Sequence, residues 1–310
     1  MKKIFIDGSA GTTGLRIAER LESRKDIEII KLTEEKRKDL NARKEAINKA
    51  DIAFLCLPDA AAVEAVSLIE NDNTVIIDTS TAHRVNPDWA YGFPELSKEY
   101  EEKIKNSKRI ANPGCHASGF IALIYPLIEK GIISKDILLS CFSLTGYSGG
   151  GKKMIAEYED LEKDWLLEGP RQYGLTQNHK HLPEMKAITG IENAPAFIPV
   201  VGDFYSGMEV TIPLFNSQLN SSFSIEDIKN AYKEKYHGPI VSYNENFDEN
   251  GFVSANKLEM KDSMEISVSG NEDRILLIAR YDNLGKGASG AAVECMNIVL
   301  GTSKTEGLEI

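Results

Sequence analysis

Three observations in the 310-residue sequence predict an α/β fold of two domains. A β-type run over residues 3–7 feeds directly into the turn Gly8-Ser9-Ala10-Gly11-Thr12-Thr13-Gly14, and apolar residues at helical spacing follow it. Strands and helices then alternate as far as residue 111, the pattern of a doubly wound parallel sheet with right-handed crossovers. From residue 138 longer strands succeed one another with few helices between them, which predicts an α+β domain on a mostly antiparallel sheet.

In order, Leu15, Ile17, Ala18 and Leu21 mark the first helix, and residues 27–32 the second strand. A charged stretch over 33–41, a helix over 42–50 and a third strand over 52–57 follow. Pro58 precedes an alanine-rich helix over 60–69, and short strands are expected at 75–78 and 109–111. Residues 1–114 therefore form the expected nucleotide-binding domain. A helix starting at Cys115 and carrying Phe120, Leu123, Ile124 and Leu127 leads out of it. The second domain has strands over 138–145, 197–201, 208–214, 264–269 and 274–281. The last helix, 288–300, is expected to be amphipathic, with Ala291, Ala292, Cys295, Ile298 and Val299 on its apolar side.

Composition excludes several classes of function. Apolar residues make up 42% and charged residues 27%, the balance of a soluble globular chain. With 47 acidic against 36 basic residues the net charge is -11, which argues against a nucleic-acid partner. The longest apolar stretches, 119–128 and 275–279, are too short to span a bilayer, and Lys2 and Lys3 lead into a strand instead of a signal-peptide core. No membrane partner and a cytoplasmic location are expected. The cysteines at 56, 115, 141 and 295 have neither CxxC nor zinc-ligand spacing, so no disulfide framework and no metal is expected.

The first turn has the chemistry of a pyrophosphate site. Gly8, Gly11 and Gly14 let backbone approach the ligand, and the amides at the helix N-terminus meet its charge. Cofactor choice is made after the second strand, where the sequence runs Glu34-Glu35-Lys36-Arg37-Lys38. Lys36 and Arg37 favour the extra phosphate of NADP, Glu34 and Glu35 oppose it, and a solvated charged loop is the competing explanation.

Asn112-Pro113-Gly114-Cys115-His116-Ala117-Ser118 sets a thiol at the head of a helix, where the helix dipole favours the thiolate. Cys56 and Cys141 fall inside strands and Cys295 on the last helix, so those three read as structural. A proton donor is sought in Tyr173-Gly-Leu-Thr-Gln-Asn-His179-Lys-His181-Leu-Pro-Glu184. In an extended segment His179 and His181 point the same way, and Glu184 can orient one ring. His179 is favoured for the direct role because it stands between Tyr173 and Glu184, with His116 and His83 as the next candidates. Two histidines filling a loop is the bland alternative; a metal site lacks further ligands at the right spacing. Arg84 is a candidate for a phosphate or carboxylate, which suits its planar fork, against an ordinary surface arginine.

These motifs together resemble the short form of the N-acetyl-γ-glutamyl-phosphate reductases, in the semialdehyde-dehydrogenase superfamily. The resemblance is carried by residues 8–14, Leu57-Pro58-Asp59, Asp78-Thr-Ser80-Thr-Ala-His83-Arg84, Tyr91-Gly-Phe-Pro-Glu95, Asn112-Pro-Gly-Cys115, Gly146-Tyr-Ser-Gly149-Gly150, His179-Lys-His181-Leu-Pro-Glu184 and Asp282-Asn283-Leu-Gly-Lys-Gly287. It implies a Rossmann-like NADP domain over 1–114, to which the C-terminal segment 286–310 returns, and a catalytic and oligomerisation domain over 115–285. It further implies a homo-oligomer, a dimer or tetramer, that reduces an N-acetyl-glutamyl 5-phosphate to the 5-semialdehyde in arginine biosynthesis. Cys115 is the implied nucleophile, with His179, His181 and Glu184 beside it. The cofactor would be held by Gly8, Ser9, Gly11, Thr12, Thr13, Gly14, Lys36, Arg37, Leu57, Pro58, Gly149 and Asn283, and the small acyl-phosphate substrate by Ser80, Arg84, Asn112 and Tyr173. The competing assignments are aspartate-semialdehyde dehydrogenase, a non-redox thiol acyltransferase or hydrolase, and a catalytically silent NADP sensor.

Overall fold

The computed structural model describes residues 1–310, and the chain divides into two compact units, 1–114 with 288–308, and 115–287 with 309–310.

In the first unit the elements are β1 (Lys2–Asp7), α1 (Thr12–Leu21), β2 (Ile27–Ile30), α2 (Leu40–Lys49), β3 (Ile52–Leu55), α3 (Asp59–Ser67), β4 (Val75–Asp78), β5 (Ala90–Tyr91), α4 (Lys98–Asn106) and β6 (Arg109–Ala111). The six-stranded sheet has the order β2-β1-β3-β4-β6-β5 and every pairing in it is parallel. Both faces are covered, and the period-two alternation of the strands sorts their side chains between two cores. Ile4, Ile6, Ile52, Phe54, Val75 and Ile77 pack with Ile17 and Leu21 of α1, Ile104 of α4 and part of the C-terminal helix. Phe5, Ala53, Leu55 and Ile76 pack instead with Ala46 and Ile47 of α2 and Ala62 and Ala65 of α3. Strand order reverses between β1 and β3, so the crevice beyond their carboxyl ends is the place where this architecture binds ligands.

The second unit begins with α5 (Cys115–Glu129), followed by β7 (Ser140–Gly146), α6 (Gly151–Glu159), β8 (Arg171–Gln172), α7 (Leu182–Thr189), β9 (Ala196–Gly202), β10 (Met208–Phe215), α8 (Ile225–Lys235), β11 (Val241–Tyr243), β12 (Met264–Gly270) and β13 (Arg274–Tyr281). Its seven-stranded sheet runs β11-β12-β13-β10-β7-β9-β8. The sheet is mixed: β12, β13, β10 and β7 pair antiparallel in succession and β8 pairs antiparallel with β9, while β11–β12 and β7–β9 are parallel. The parallel β7–β9 pair requires a crossover connection. That crossover carries α6, β8 and α7, and with them the histidine segment.

Helix α5 is buried along nearly its whole length and packs on β10, β13, α7 and α8. It contains Pro126, which has no N–H to give the carbonyl of Ala122. Tyr236 Oη donates to that carbonyl at 2.7 Å, and Tyr232 Oη donates to the carbonyl of Leu123 at 2.6 Å. Helix α9 (Gly290–Leu300), in the first unit, is preceded by a π-helical turn, Gly285–Ser289. Its residues 290–298 are all buried, so the expected amphipathic pattern is replaced by burial on every side. The polar Asn297 is buried there because it accepts from Arg24 Nη1 at 2.8 Å and donates to the carbonyls of Lys304 and Glu306.

Candidate active site

In the first unit, the turn after β1 closes with Gly11 N–H donating to the carbonyl of Gly8 at 2.9 Å, and Gly11 caps α1. Gly8 has φ of +87°, and a Cβ there would lie 2.2 Å from the Cys56 carbonyl oxygen at the end of β3. Only glycine fits, and the turn sits at the point where strand order reverses. Ser9 lies in this turn, while Thr12, Thr13 and Gly14 form the first turn of α1, whose amides have no intrahelical acceptor. A cavity of about 1110 Å³ opens beside the turn, lined by Gly8, Ser9, Ala10 and Leu57 and reaching Lys31, Glu34, Arg37 and Lys38. Of the residues expected at the cofactor in this unit, Gly8, Ser9, Arg37 and Leu57 line the cavity and Gly11, Thr12, Thr13, Gly14, Lys36 and Pro58 do not, while Lys31 and Lys38 line it without having been singled out. The glycine that admits no Cβ, the helix amides and the cationic rim together suit a phosphorylated dinucleotide.

In the second unit, Cys115 opens α5 and is partly exposed. Cys56 is also partly exposed, while Cys141 and Cys295 are buried. Burial pushes the Cys56 thiol up to about 12 and the Cys141 thiol well above its ordinary value, and Cys295 is fully buried.

His116, next in sequence, is the hub of the cluster. Its Nδ1 lies 2.6 Å from Ser143 Oγ on β7 and its Nε2 lies 2.7 Å from Tyr173 Oη. The rings of His179, His181 and Phe197 stand 5.8, 5.5 and 5.3 Å from its centroid. Burial, with His179 and Lys180 adding positive charge, pulls the His116 imidazole down to about 3, so it is neutral throughout the physiological range. Tyr173 is raised by burial and by the negative charge of Cys115, which keeps it a phenol donor.

The histidine segment is not extended. Leu182 N–H donates to the carbonyl of His179 at 3.0 Å, a turn that makes His181 the N-cap residue of α7. His179 and His181 still come together, with ring centroids 4.8 Å apart, because the turn folds one ring against the other. His181 N–H donates to His179 Nδ1 at 3.3 Å, which leaves the proton of neutral His179 on Nε2. Burial first, then Lys180, holds the His179 imidazole below its ordinary value. Glu184 is buried in the first turn of α7, and α7 packs along α5.

Asn283 has a positioning geometry. Its Nδ2 donates to Ser148 Oγ at 3.0 Å and its Oδ1 accepts from Gly207 N–H at 2.9 Å, tying the 146–150 turn, which includes Gly149, to the start of β10. Three expected substrate residues in the first unit are engaged internally. Ser80 Oγ donates to Asp78 Oδ2 at 2.7 Å, a carboxylate that also meets His83 Nδ1 at 2.6 Å. Arg84 is 8% exposed and donates through Nε to the carbonyl of Asn112 and through Nη2 to that of Thr79, both at 2.9 Å. Asn112 Nδ2 donates to the carbonyl of Ala288 at 2.9 Å. These bonds brace the backbone that precedes Cys115. His83 is stacked on Trp89, with ring centroids 4.0 Å apart.

Residues that sequence reasoning passed over are Ser143 and Tyr281, and it named His116 only as a reserve proton donor, not for the bridging place between Ser143 and Tyr173 that it holds. Tyr281 Oη donates to the Cys115 carbonyl and accepts from Gly119 N–H. His116 could have been found from its place beside Cys115. Ser143 and Tyr281 carry no local signal, since their partners lie 27 and 166 residues away.

Residues 3–106 match the family described as semialdehyde dehydrogenase, NAD binding domain, and residues 115–283 the family described as semialdehyde dehydrogenase, dimerisation domain. The chain is 47% identical over 306 residues to N-acetyl-gamma-glutamyl-phosphate reductase of Brucella ovis, covering 96% of this chain and 99% of the relative, and the same figures hold for the protein of that name in Brucella canis. Among solved structures, aspartate semialdehyde dehydrogenase from Francisella tularensis matches with a TM-score of 0.72 at 16% identity, over 97% of this chain and 100% of that one. Aspartate semialdehyde dehydrogenase with NADP from Candida albicans matches with a TM-score of 0.67 at 15% identity, over 97% and 98% of the two chains. At these identities the structural likeness establishes the fold. No helix of the chain is long and apolar enough to cross a membrane.

Proposed function

The chain belongs to the semialdehyde dehydrogenase family, alongside its N-acetyl-gamma-glutamyl-phosphate reductase relatives, and on that premise we propose that it reduces N-acetyl-glutamyl 5-phosphate to N-acetyl-glutamate 5-semialdehyde and phosphate, through a thioester on Cys115. The observation that carries this reading is Cys115 at the head of α5, partly exposed, with the neutral His116 hub and the His179–His181 pair built around the same end of the helix.

The Cys115 thiolate attacks the acyl carbon, the C–S bond forms, and the resulting oxyanion collapses with loss of phosphate. When bound, NADPH supplies the hydride that reduces the thioester carbon. The second oxyanion, held by hydrogen bonds, collapses as the C–S bond breaks, which frees the semialdehyde and restores the thiolate. First-turn amides of α5 and the Nε2–H of His179 are the donors for this charge. His116, held neutral between Ser143 and Tyr173, brings no charge of its own into the site and orients Tyr173. Gly8, Ser9 and the α1 amides would hold the pyrophosphate, with Arg37 and Lys38 beside the adenosine phosphate. A homo-oligomer and a cytoplasmic setting in arginine biosynthesis accord with this reading.

The test is the reverse reaction. N-acetylglutamate semialdehyde, phosphate and NADP should give a rise in nicotinamide absorbance that aspartate semialdehyde does not give at comparable concentration. Cys115→Ser should abolish it while NADPH binding, followed by fluorescence, is retained. Iodoacetamide should label Cys115 ahead of Cys56, Cys141 and Cys295. A Cys115→Ser rate within about tenfold of wild type would exclude the thioester, since a serine hydroxyl is a far weaker nucleophile near neutral pH.

A further inference from the structure

In a regular α-helix the N–H of Gly119 would donate to the carbonyl of Cys115. Here Tyr281 Oη bridges the same two groups: Gly119 N–H donates to Tyr281 Oη at 3.0 Å, and Tyr281 Oη donates to the Cys115 carbonyl at 2.5 Å. A phenolic oxygen from the end of β13 has been set into the first turn of α5. The insertion depends on Gly119, because a Cβ there would lie 2.7 Å from Tyr281 Oη and 2.7 Å from Val210 Cγ2. Tyr281 is wholly buried, and burial raises its hydroxyl well above the ordinary range, so it remains a donor at every working pH.

We infer that Tyr281 is a positioning residue for the reaction: by holding the Cys115 carbonyl it fixes the Cys115–His116 peptide and thereby aims the His116 N–H as an oxyanion donor. The inference rests on the thioester reading given above. A trans peptide is planar, with its C=O and N–H pointing to opposite sides, so fixing one end fixes the other. The His116 N–H is in the first turn and has no acceptor within the helix. Without Tyr281 the Cys115 carbonyl loses the donor that fixes its direction, and the His116 N–H is free to turn with it. Donors aimed in advance are what stabilise an oxyanion, and a small rotation costs rate without costing substrate affinity.

The experiment compares wild type, Tyr281→Phe and, as a control for a buried tyrosine that bonds to the same helix, Tyr236→Phe. Each is assayed in the reverse direction with N-acetylglutamate semialdehyde, phosphate and NADP, and each is inactivated with iodoacetamide. Alkylation uses the same thiolate but develops no oxyanion, so it separates the two roles. Tyr281→Phe should lose about 10- to 100-fold in kcat, part of the effect of deleting an oxyanion donor, with KM within about twofold and alkylation within about threefold of wild type. Tyr236→Phe should keep kcat within about twofold. A Tyr281→Phe enzyme with wild-type kcat, or one in which alkylation falls as far as turnover, overturns the inference. Gly119→Ala supplies a second arm if Tyr281→Phe does not fold: it displaces the hydroxyl without deleting it, and it should show the same split between turnover and alkylation. A Gly119→Ala enzyme with wild-type kcat overturns the inference equally. An inactive wild type would instead sink the reading of the function on which it rests.

Discussion

Tyr236 supplies the hydrogen bond that Pro126 removes. The proline ring leaves the Ala122 carbonyl without its helical partner inside a fully buried helix, and Tyr236 Oη, 114 residues away in sequence, donates to it at 2.7 Å. Both groups are deep in the second unit, with Tyr236 only 2% exposed. Tyr236→Phe keeps the ring and strands the carbonyl, so urea unfolding should show a loss of about 1–3 kcal/mol, the usual cost of an unsatisfied buried acceptor. A change below about 0.5 kcal/mol would mean that the helix bends to satisfy Ala122 by another route.

His116 links the cluster to pH. Its folded value, about 3, lies below the ordinary 6.5, so the unfolded chain takes up a proton that the native state refuses. The stability held at this site is complete above 6.5 and is lost progressively as pH falls toward about 3. Between about pH 7.5 and about pH 5 the loss from this one group is about 2 kcal/mol. Denaturant titrations of wild type and His116→Gln should therefore converge as the pH is lowered over that interval. Parallel lines would show that His116 is not held neutral in the native protein.

The first unit was legible almost throughout. Its strands are buried on both faces, so they read as short apolar runs, and each turn signal between them is local. Strands β5, β8 and β11, with two, two and three residues, offer too little pattern to be seen. The parallel pairing of β7 with β9 was hidden because nothing in either strand encodes the direction of its neighbour. The thiol and the histidine pair could be located from sequence, whereas Ser143 and Tyr281 could not. Their chemistry is supplied by the sheet register that sets β7 and β13 beneath α5.

The cavity rim separates basic residues that are adjacent in sequence. Arg37 and Lys38 line the cavity and Lys36 does not. Arg37→Ala and Lys38→Ala should each weaken NADPH binding more than NADH binding, because only NADPH carries the extra phosphate, and Lys36→Ala should leave both within about twofold. Isothermal titration with each cofactor decides the matter. Equal losses for the two cofactors would make these side chains ordinary surface charges.

The two histidines are separated by the hydrogen bond between them. His181 N–H fills Nδ1 of His179, so His179 presents its Nε2–H in the neutral form, and burial together with the charge of Lys180 holds its titration below the ordinary value. A neutral ring with a fixed tautomer can donate to the oxyanion and recover its proton without passing through a long-lived imidazolium. His179→Asn should lower kcat by about 10²- to 10⁴-fold with a smaller change in KM. His181 is almost wholly buried and its side chain makes no capping bond to α7, so His181→Asn should act through packing, mainly on KM and stability. Lys180 is exposed and gives an independent handle on the titration. Lys180→Ala removes a positive neighbour, so the acid limb of the kcat/KM profile should move to higher pH, and the movement should shrink in high salt as screening grows. An acid limb unmoved by Lys180→Ala at low salt would mean that the limb belongs to another group, and His181 would then take the proton-transfer role.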